Sequence, residues 1–218
     1  GLTKTRKLVE KDGVHVMTGG LMASTGYALM PYIDSKEIPM TYPIMAPDDL
    51  TQRQRAKWIV RTGWNSSQPN HPFGEYAYNT LKFRKIAMIA LDYAFGWENV
   101  GGFQKTFEEA GGKIVQKIWT PLTVQDFSPY LSQISKEADG VYAMFTGRTT
   151  LQLVKQYQEF GLKGKIPLIG GGTTTDEHAL PSMGDEAIGI ITSLHYSEAL
   201  DNPANKKFVK AYREKAKK

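Results

Sequence analysis

Residues 85–116, KIAMIALDYAFGWENVGGFQKTFEEAGGKIVQ, read as a strand, a loop, a helix, a turn and the start of another strand. Ile86–Leu91 is a short apolar run, the pattern of a strand buried on both faces. Val100, Phe103, Phe107 and Ala110 then recur at helical spacing, with Gln104, Lys105, Glu108 and Glu109 on the opposite side. Gly111-Gly112 ends the helix and Ile114–Trp119 opens the next strand. Between strand and helix lies Asp92-Tyr93-Ala94-Phe95-Gly96-Trp97, an aromatic loop with no phosphate-cradling glycine pattern. Ligands of open α/β sheets sit at the carboxyl ends of strands. The unit therefore points to an α/β protein that holds a small organic molecule.

Outward from this unit, the same rhythm continues. Upstream, a helix over Thr3–Asp12 stops at Gly13, and Val14–Thr18 is a strand before the Gly19-Gly20 turn. Ser24 or Thr25 can cap a helix running to Ser35. Ile38–Tyr42 is the next strand, Asp48–Lys57 reads as helical, and Trp58–Thr62 as a strand. Asn65–Pro72 is a connection, followed by a helix over Gly74–Leu81. Downstream, Ser128–Lys136 and Leu151–Phe160 are helices, and Gly140–Thr146, Ile166–Ile169 and Ile188–Ser193 are strands. Gly170–Gly172 forms a turn, and Pro203–Lys218 is a final helix. Alternating strands and helices imply parallel sheets covered on both sides. The break at Asn65–Pro72 implies two lobes, with a crevice between them as the natural ligand site.

Composition narrows the classes. At 41% hydrophobic and 22% charged, the 218 residues are those of an ordinary globular chain. No apolar run approaches the ~20 residues a membrane helix needs. Zero cysteines exclude disulfides, thiolate metal sites and cysteine nucleophiles. The net charge of +5 is concentrated at the end: without residues 206–218 the chain has 20 basic and 21 acidic residues. That describes a solvated terminal helix, not the distributed basic face of a nucleic-acid binder.

Reactive constellations are missing. No two of His15, His71, His178 and His195 have metal-ligand spacing, and there is no G-x-S-x-G, Walker or G-x-G-x-x-G motif. The adjacent carboxylates Asp48-Asp49, Glu108-Glu109, Asp176-Glu177 and Asp185-Glu186 point to different sides of their backbones. What remains is suited to binding. Ser24 offers a hydroxyl after a strand, and Arg148 a guanidinium at a strand's carboxyl end, fit to hold a carboxylate. Tyr93, Phe95 and Trp97 can pack on an apolar or aromatic guest.

The ordered series of segments resembles a known family: the solute-binding proteins of ABC importers, in the branched-chain amino-acid-binding (type I periplasmic) group. The resemblance rests on Lys7-Leu8-Val9 with Asp12-Gly13-Val14, then Gly19–Ser24, Ile38–Pro43, Val60-Arg61-Thr62 and Lys85–Gly96. It continues through Phe107–Gly112, Asp126-Phe127-Ser128, Asp139–Tyr142, Gln158–Leu162, Pro167–Gly170 and Gly184–Thr192, and closes with Asn202–Asn205 and Phe208–Tyr212. It implies two Rossmann-like lobes with mostly parallel sheets flanked by helices. Residues 1–62 would belong to the first lobe, 63–192 to the second, and 193–218 would return to the first. The family's chain extends beyond both ends, so the sequence reads as part of a longer one.

Ligand contacts carried over by the resemblance are Ala23 and Ser24 in the first turn; Ile44, Met45 and Ala46 after the second strand; Phe95; Thr146 and Arg148; and Gly172 and Thr173. Amino-acid binders of the group have a threonine where Ala46 stands and an acid near Gly172 to pair with the ligand ammonium. Neither is seen here, and a buried ammonium without a partner is costly. An aromatic or apolar carboxylate is the expected guest. The resemblance further implies no cofactor, no catalysis, no nucleic acid, an extracytoplasmic location, a monomer, and ABC permease subunits as partners. A ligand-sensing regulatory domain of the same fold is the alternative, and an enzyme of related α/β fold a third reading without a visible nucleophile or phosphate loop.

Overall fold

The computed structural model describes residues 1–217. Among these, eight strands form two sheets in which every pairing is parallel. The first sheet has the order β1 (Met17–Thr18), β2 (Met40–Tyr42), β3 (Ile59–Arg61), flanked by α1 (Leu2–Glu10) and α2 (Ala23–Lys36). The second contains β4 (Lys85–Leu91), β5 (Lys113–Thr120), β6 (Gly140–Met144), β7 (Leu168–Gly171) and β8 (Ile191–Ser193), in the order β5-β4-β6-β7-β8. Its helices are α3 (His71–Asn79), α4 (Ala94–Glu109), the short α5 (Ser128–Leu131) and α6 (Arg148–Glu159), with α7 (Pro203–Ala216) closing the chain.

The apolar run in β4 organises the second sheet. Ile86, Met88 and Ala90 face one way, against Phe73 and Ala77 of α3 and Phe103 and Phe107 of α4. Ala87, Ile89 and Leu91 face the other way, toward Leu153, Val154 and Tyr157 of α6. This two-sided burial is what an uninterrupted apolar strand encodes. Phe103 is fully buried, with its ring centroid 4.4 Å from that of Tyr142 in β6. Burying such a ring stabilises the fold by about 1.5–3 kcal/mol. Leu29 and Ile33 of α2, with Met40, Tyr42 and Leu50, make a separate core for the first sheet.

Several expected elements are shorter than their sequence pattern. Asp48–Lys57 contains only a 3-10 turn, Asp48–Thr51. The backbone N–H groups of Lys57 and Trp58 donate to the Asp34 carboxylate and not to a helical carbonyl. Ser128–Lys136 keeps only α5, because Gln116 of β5 bonds the Gln133 carbonyl and the Ser135 N–H. Neither Ser24 nor Thr25 caps α2, which begins at Ala23 behind Met22. Val14–Thr18 contributes a strand of two residues, and Ile188–Ser193 one of three. Gly170 and Gly171, expected in a turn, lie inside β7.

Candidate functional site

A cavity of about 720 Å³ lies between the two sheets, lined from both sides. The first-sheet side supplies Leu21, Met22 and Ala23 at the start of α2, and Ile44 and Ala46 after β2. The second-sheet side supplies residues just past strand ends, and the strand order arranges them. Leu122 follows β5, Tyr93 and Phe95 follow β4, Thr146 and Arg148 follow β6, Thr173 and Asp176 follow β7, and Leu194 and His195 follow β8. Aromatic and aliphatic groups thus occupy one end of the row, a cation the middle, and an acid with an imidazole the other end.

Three helices begin at this cavity. The starts of α2 (Ala23), α4 (Phe95) and α6 (Arg148) all line it, and none of the three has a side-chain cap. Uncapped first turns present free N–H groups and the positive end of the helix dipole, which favour an anion. The Arg148 side chain adds a full positive charge. It is exposed and forms no ion pair with any described residue.

Tyr93 and Phe95 form the aromatic end, their ring centroids 6.1 Å apart. Burial raises the pKa of the Tyr93 hydroxyl, and a hydrogen bond from Thr146 partly offsets this. Thr173 is oriented by its 2.8 Å hydroxyl bond to the Phe145 carbonyl, and Thr149 by one of 2.8 Å to the Thr146 carbonyl. Trp64 stacks on His195, with ring centroids 3.4 Å apart and planes 11° from parallel. Burial lowers the His195 pKa, so the imidazole is held neutral near pH 7.

One helical turn behind the cavity wall, the two halves are tied together. Glu98 of α4 accepts hydrogen bonds from the Tyr27 hydroxyl of α2 and, at 3.1 Å, from the backbone N–H of Asp48. Tyr27 follows Ala23 by four residues and Glu98 follows Phe95 by three, so each lies on its helix's cavity-facing side. Burial raises the Glu98 pKa, against the opposing bond from Tyr27. Its Oε2 is buried without a partner among the described residues.

Of the residues named from sequence, Ala23, Ile44, Ala46 and Phe95 line this cavity, as do Thr146, Arg148 and Thr173. Three are elsewhere. Ser24 is exposed on the second residue of α2. Met45 is fully buried in the first-sheet core, packed under Gly20. Gly172 is buried against Leu194 and borders a neighbouring cavity. Trp97 is not part of the cavity lining; it is half-exposed and donates to Asp92 at 2.9 Å. Asp176, Trp64 and His195 were not singled out for this wall. The expectation that no acid stands near Gly172 is amended by Asp176, four residues on, which lines the cavity. Among the described residues no His, Asp or Glu cluster could hold a metal ion, and no helix is long and apolar enough to cross a membrane.

Comparison with known proteins places this geometry among others like it. The family model described as "Periplasmic binding protein" matches residues 1–218. The Leu/Ile/Val-binding protein homolog 6 of Brucella melitensis is 32% identical over 211 residues, which are 95% of this chain and 53% of the relative. An ABC transporter substrate-binding protein from Sphaerobacter thermophilus superposes with a TM-score of 0.88 at 36% identity, over 99% of this chain and 60% of that one. A solute-binding protein of an ABC transporter from R. palustris, in complex with benzoate, gives 0.88 at 30% identity, over 99% and 59%. The chain therefore spans a little over half the length of the proteins it matches.

Proposed function

The chain belongs to the periplasmic binding protein family, and on that premise we propose that it captures a small organic acid, an aromatic carboxylate first of all, in the cavity between its two sheets. The family is one of binding proteins, not enzymes. In this reading the protein is the extracytoplasmic receptor of an ABC importer and hands its ligand to the permease subunits. Its lobes, 1–62 with 193–218 and 63–192, close on the guest and expel water.

The observation that carries the reading is Arg148. Its guanidinium, in no ion pair with a described residue, stands at the head of α6, between the Tyr93–Phe95 aromatic end and the Thr173 hydroxyl. A carboxylate there gains a bidentate charge-assisted pair and the helix N–H groups together, while a ring packs on the aromatic side. Ala23, Ile44 and Ala46 give that ring an apolar opposite wall with no group to compete for the carboxylate. The benzoate bound to the R. palustris relative supports the same chemistry.

A second reading, an α-amino acid, draws on Asp176, an acid in the cavity lining that offers an ammonium partner. One of its oxygens, Oδ1, is already bonded to the backbone N–H groups of His178 and Ala179. Calorimetric titration of the protein at its full natural length with benzoate, leucine and valine separates the readings. Benzoate binding without leucine or valine binding is expected. Tight leucine binding with none for benzoate overturns the aromatic-acid reading.

A further inference from the structure

Resting on the reading just given, we propose that Asp176 and His195 form a second polar subsite in the cavity, one that reads a hydroxyl group carried on the ring of an aromatic acid. The strand order fixes its place. Arg148 follows β6, whereas His195 follows β8, two strands along, with Asp176 after the intervening β7. Neighbouring strands are about 4.8 Å apart, so β6 and β8, which Arg148 and His195 follow, are roughly 10 Å apart, with β7 and Asp176 between them. A single benzene ring, with one hydrogen bond to the protein at each end, spans such a gap.

Both side chains are fixed before a ligand arrives. Asp176 Oδ1 accepts from the N–H of His178 at 2.9 Å and of Ala179 at 2.8 Å, which locks the carboxylate. Oδ2 has no hydrogen-bond partner among the described residues. The His195 ring is clamped flat against Trp64, and its nitrogens likewise make no hydrogen bond to a described residue. Asp176, Leu194 and His195 together also border a neighbouring cavity of about 620 Å³, so they form one partition.

The pair matches one kind of group. A neutral imidazole carries one donor and one acceptor, and a carboxylate only accepts. A phenol donates once and accepts readily. Its O–H would bond Asp176 Oδ2 while its oxygen takes the His195 N–H. A bare ring would leave both groups desolvated and unpaired, which disfavours benzoate relative to its hydroxylated forms.

The test is calorimetry on the full natural-length protein with benzoate, 3-hydroxybenzoate and 4-hydroxybenzoate. At least one hydroxy acid is expected to bind roughly tenfold or more tightly than benzoate. Asp176→Asn keeps the Oδ1 turn bonds, and His195→Phe keeps the stack on Trp64. Each variant should shrink the gap between the hydroxy acid and benzoate to about twofold or less, and an unchanged melting temperature reports an intact fold. Equal binding of all three acids by the wild type, or variants that retain the preference, overturns the subsite alone. A wild type that binds none of the three overturns the aromatic-acid reading and the subsite with it.

Discussion

The Tyr142 hydroxyl donates a 2.7 Å hydrogen bond to Oδ1 of Asn70, from inside the five-stranded sheet to the segment that joins the two sheets. Asn70 Nδ2 donates to Asn99 Oδ1 at 2.6 Å, and Asn99 Nδ2 to the Phe95 carbonyl at 2.6 Å. All three side chains are buried. A cavity-lining residue, Phe95, is thus held in place by a polar relay that begins in the core of the second sheet.

Tyr142→Phe removes the first donor and leaves Asn70 Oδ1 buried without it. The expected loss of stability is about 1–3 kcal/mol. For a chain of this size each kcal/mol lowers the melting temperature by about 2–4 °C. Chemical denaturation of wild type and variant measures it. An unchanged midpoint would show that water or a shifted Asn70 replaces the bond.

Arg148→Leu should weaken benzoate binding by about ten- to a hundredfold, the worth of a charge-assisted bond to a carboxylate. Stability should hardly change, because Arg148 is exposed and pairs with no described acid. Arg148→Lys should restore only part of the affinity, since an ammonium cannot reproduce the guanidinium fork. Titration calorimetry beside thermal melting separates the two effects.

Glu98 gives stability a pH dependence of definite sign. Burial raises its folded pKa above the ordinary value of 4.5, so between those values the folded state holds more protons than the unfolded chain. Stability then falls as pH rises from about 4.5 through the folded pKa, and levels off above it. Glu98→Gln should remove this component, so the wild-type-minus-variant difference in stability falls as pH rises. Urea midpoints collected between pH 4 and 8 test it, and a difference that grows in the opposite direction rejects the assignment.

Gly20→Ala should destabilise by about 1–3 kcal/mol. Gly20 has φ +95°, and an added Cβ would come within 2.3 Å of Met45 Sδ. Gly13→Ala is the control: φ is also positive, at +64°, but nothing lies within 4 Å of the added atom. Melting temperatures of the two variants separate backbone strain from the collision.

The parts of the fold written in local pattern were legible. Ile86–Leu91 is apolar without a break because both faces are covered, and Phe103 and Phe107 mark the covered side of α4. What failed depended on distant side chains. Asp34 and Gln116 take backbone groups that helices at 48–57 and 128–136 would have used, and nothing near those segments signals it. The cavity was readable where one strand end supplied it, as with Phe95 and Arg148. Trp64, Asp176 and His195 meet only through the sheet order, which no short stretch encodes. Met45 was misplaced by one residue's alternation: Ile44 and Ala46 face the cavity and Met45 the core.

The Trp64–His195 stack has a mechanical side. Trp64 lies on the segment by which the chain enters the five-stranded sheet, and His195 on the one by which it leaves. Ser193 Oγ donates to the Pro69 carbonyl at 2.7 Å, a second rivet between the same segments. Two crossings fastened to each other at two points form one joint and not two independent strands. If the lobes close on a guest as proposed, rotation about that joint would carry the wall near Leu122, at the far end of the strand row, further than the wall beside His195.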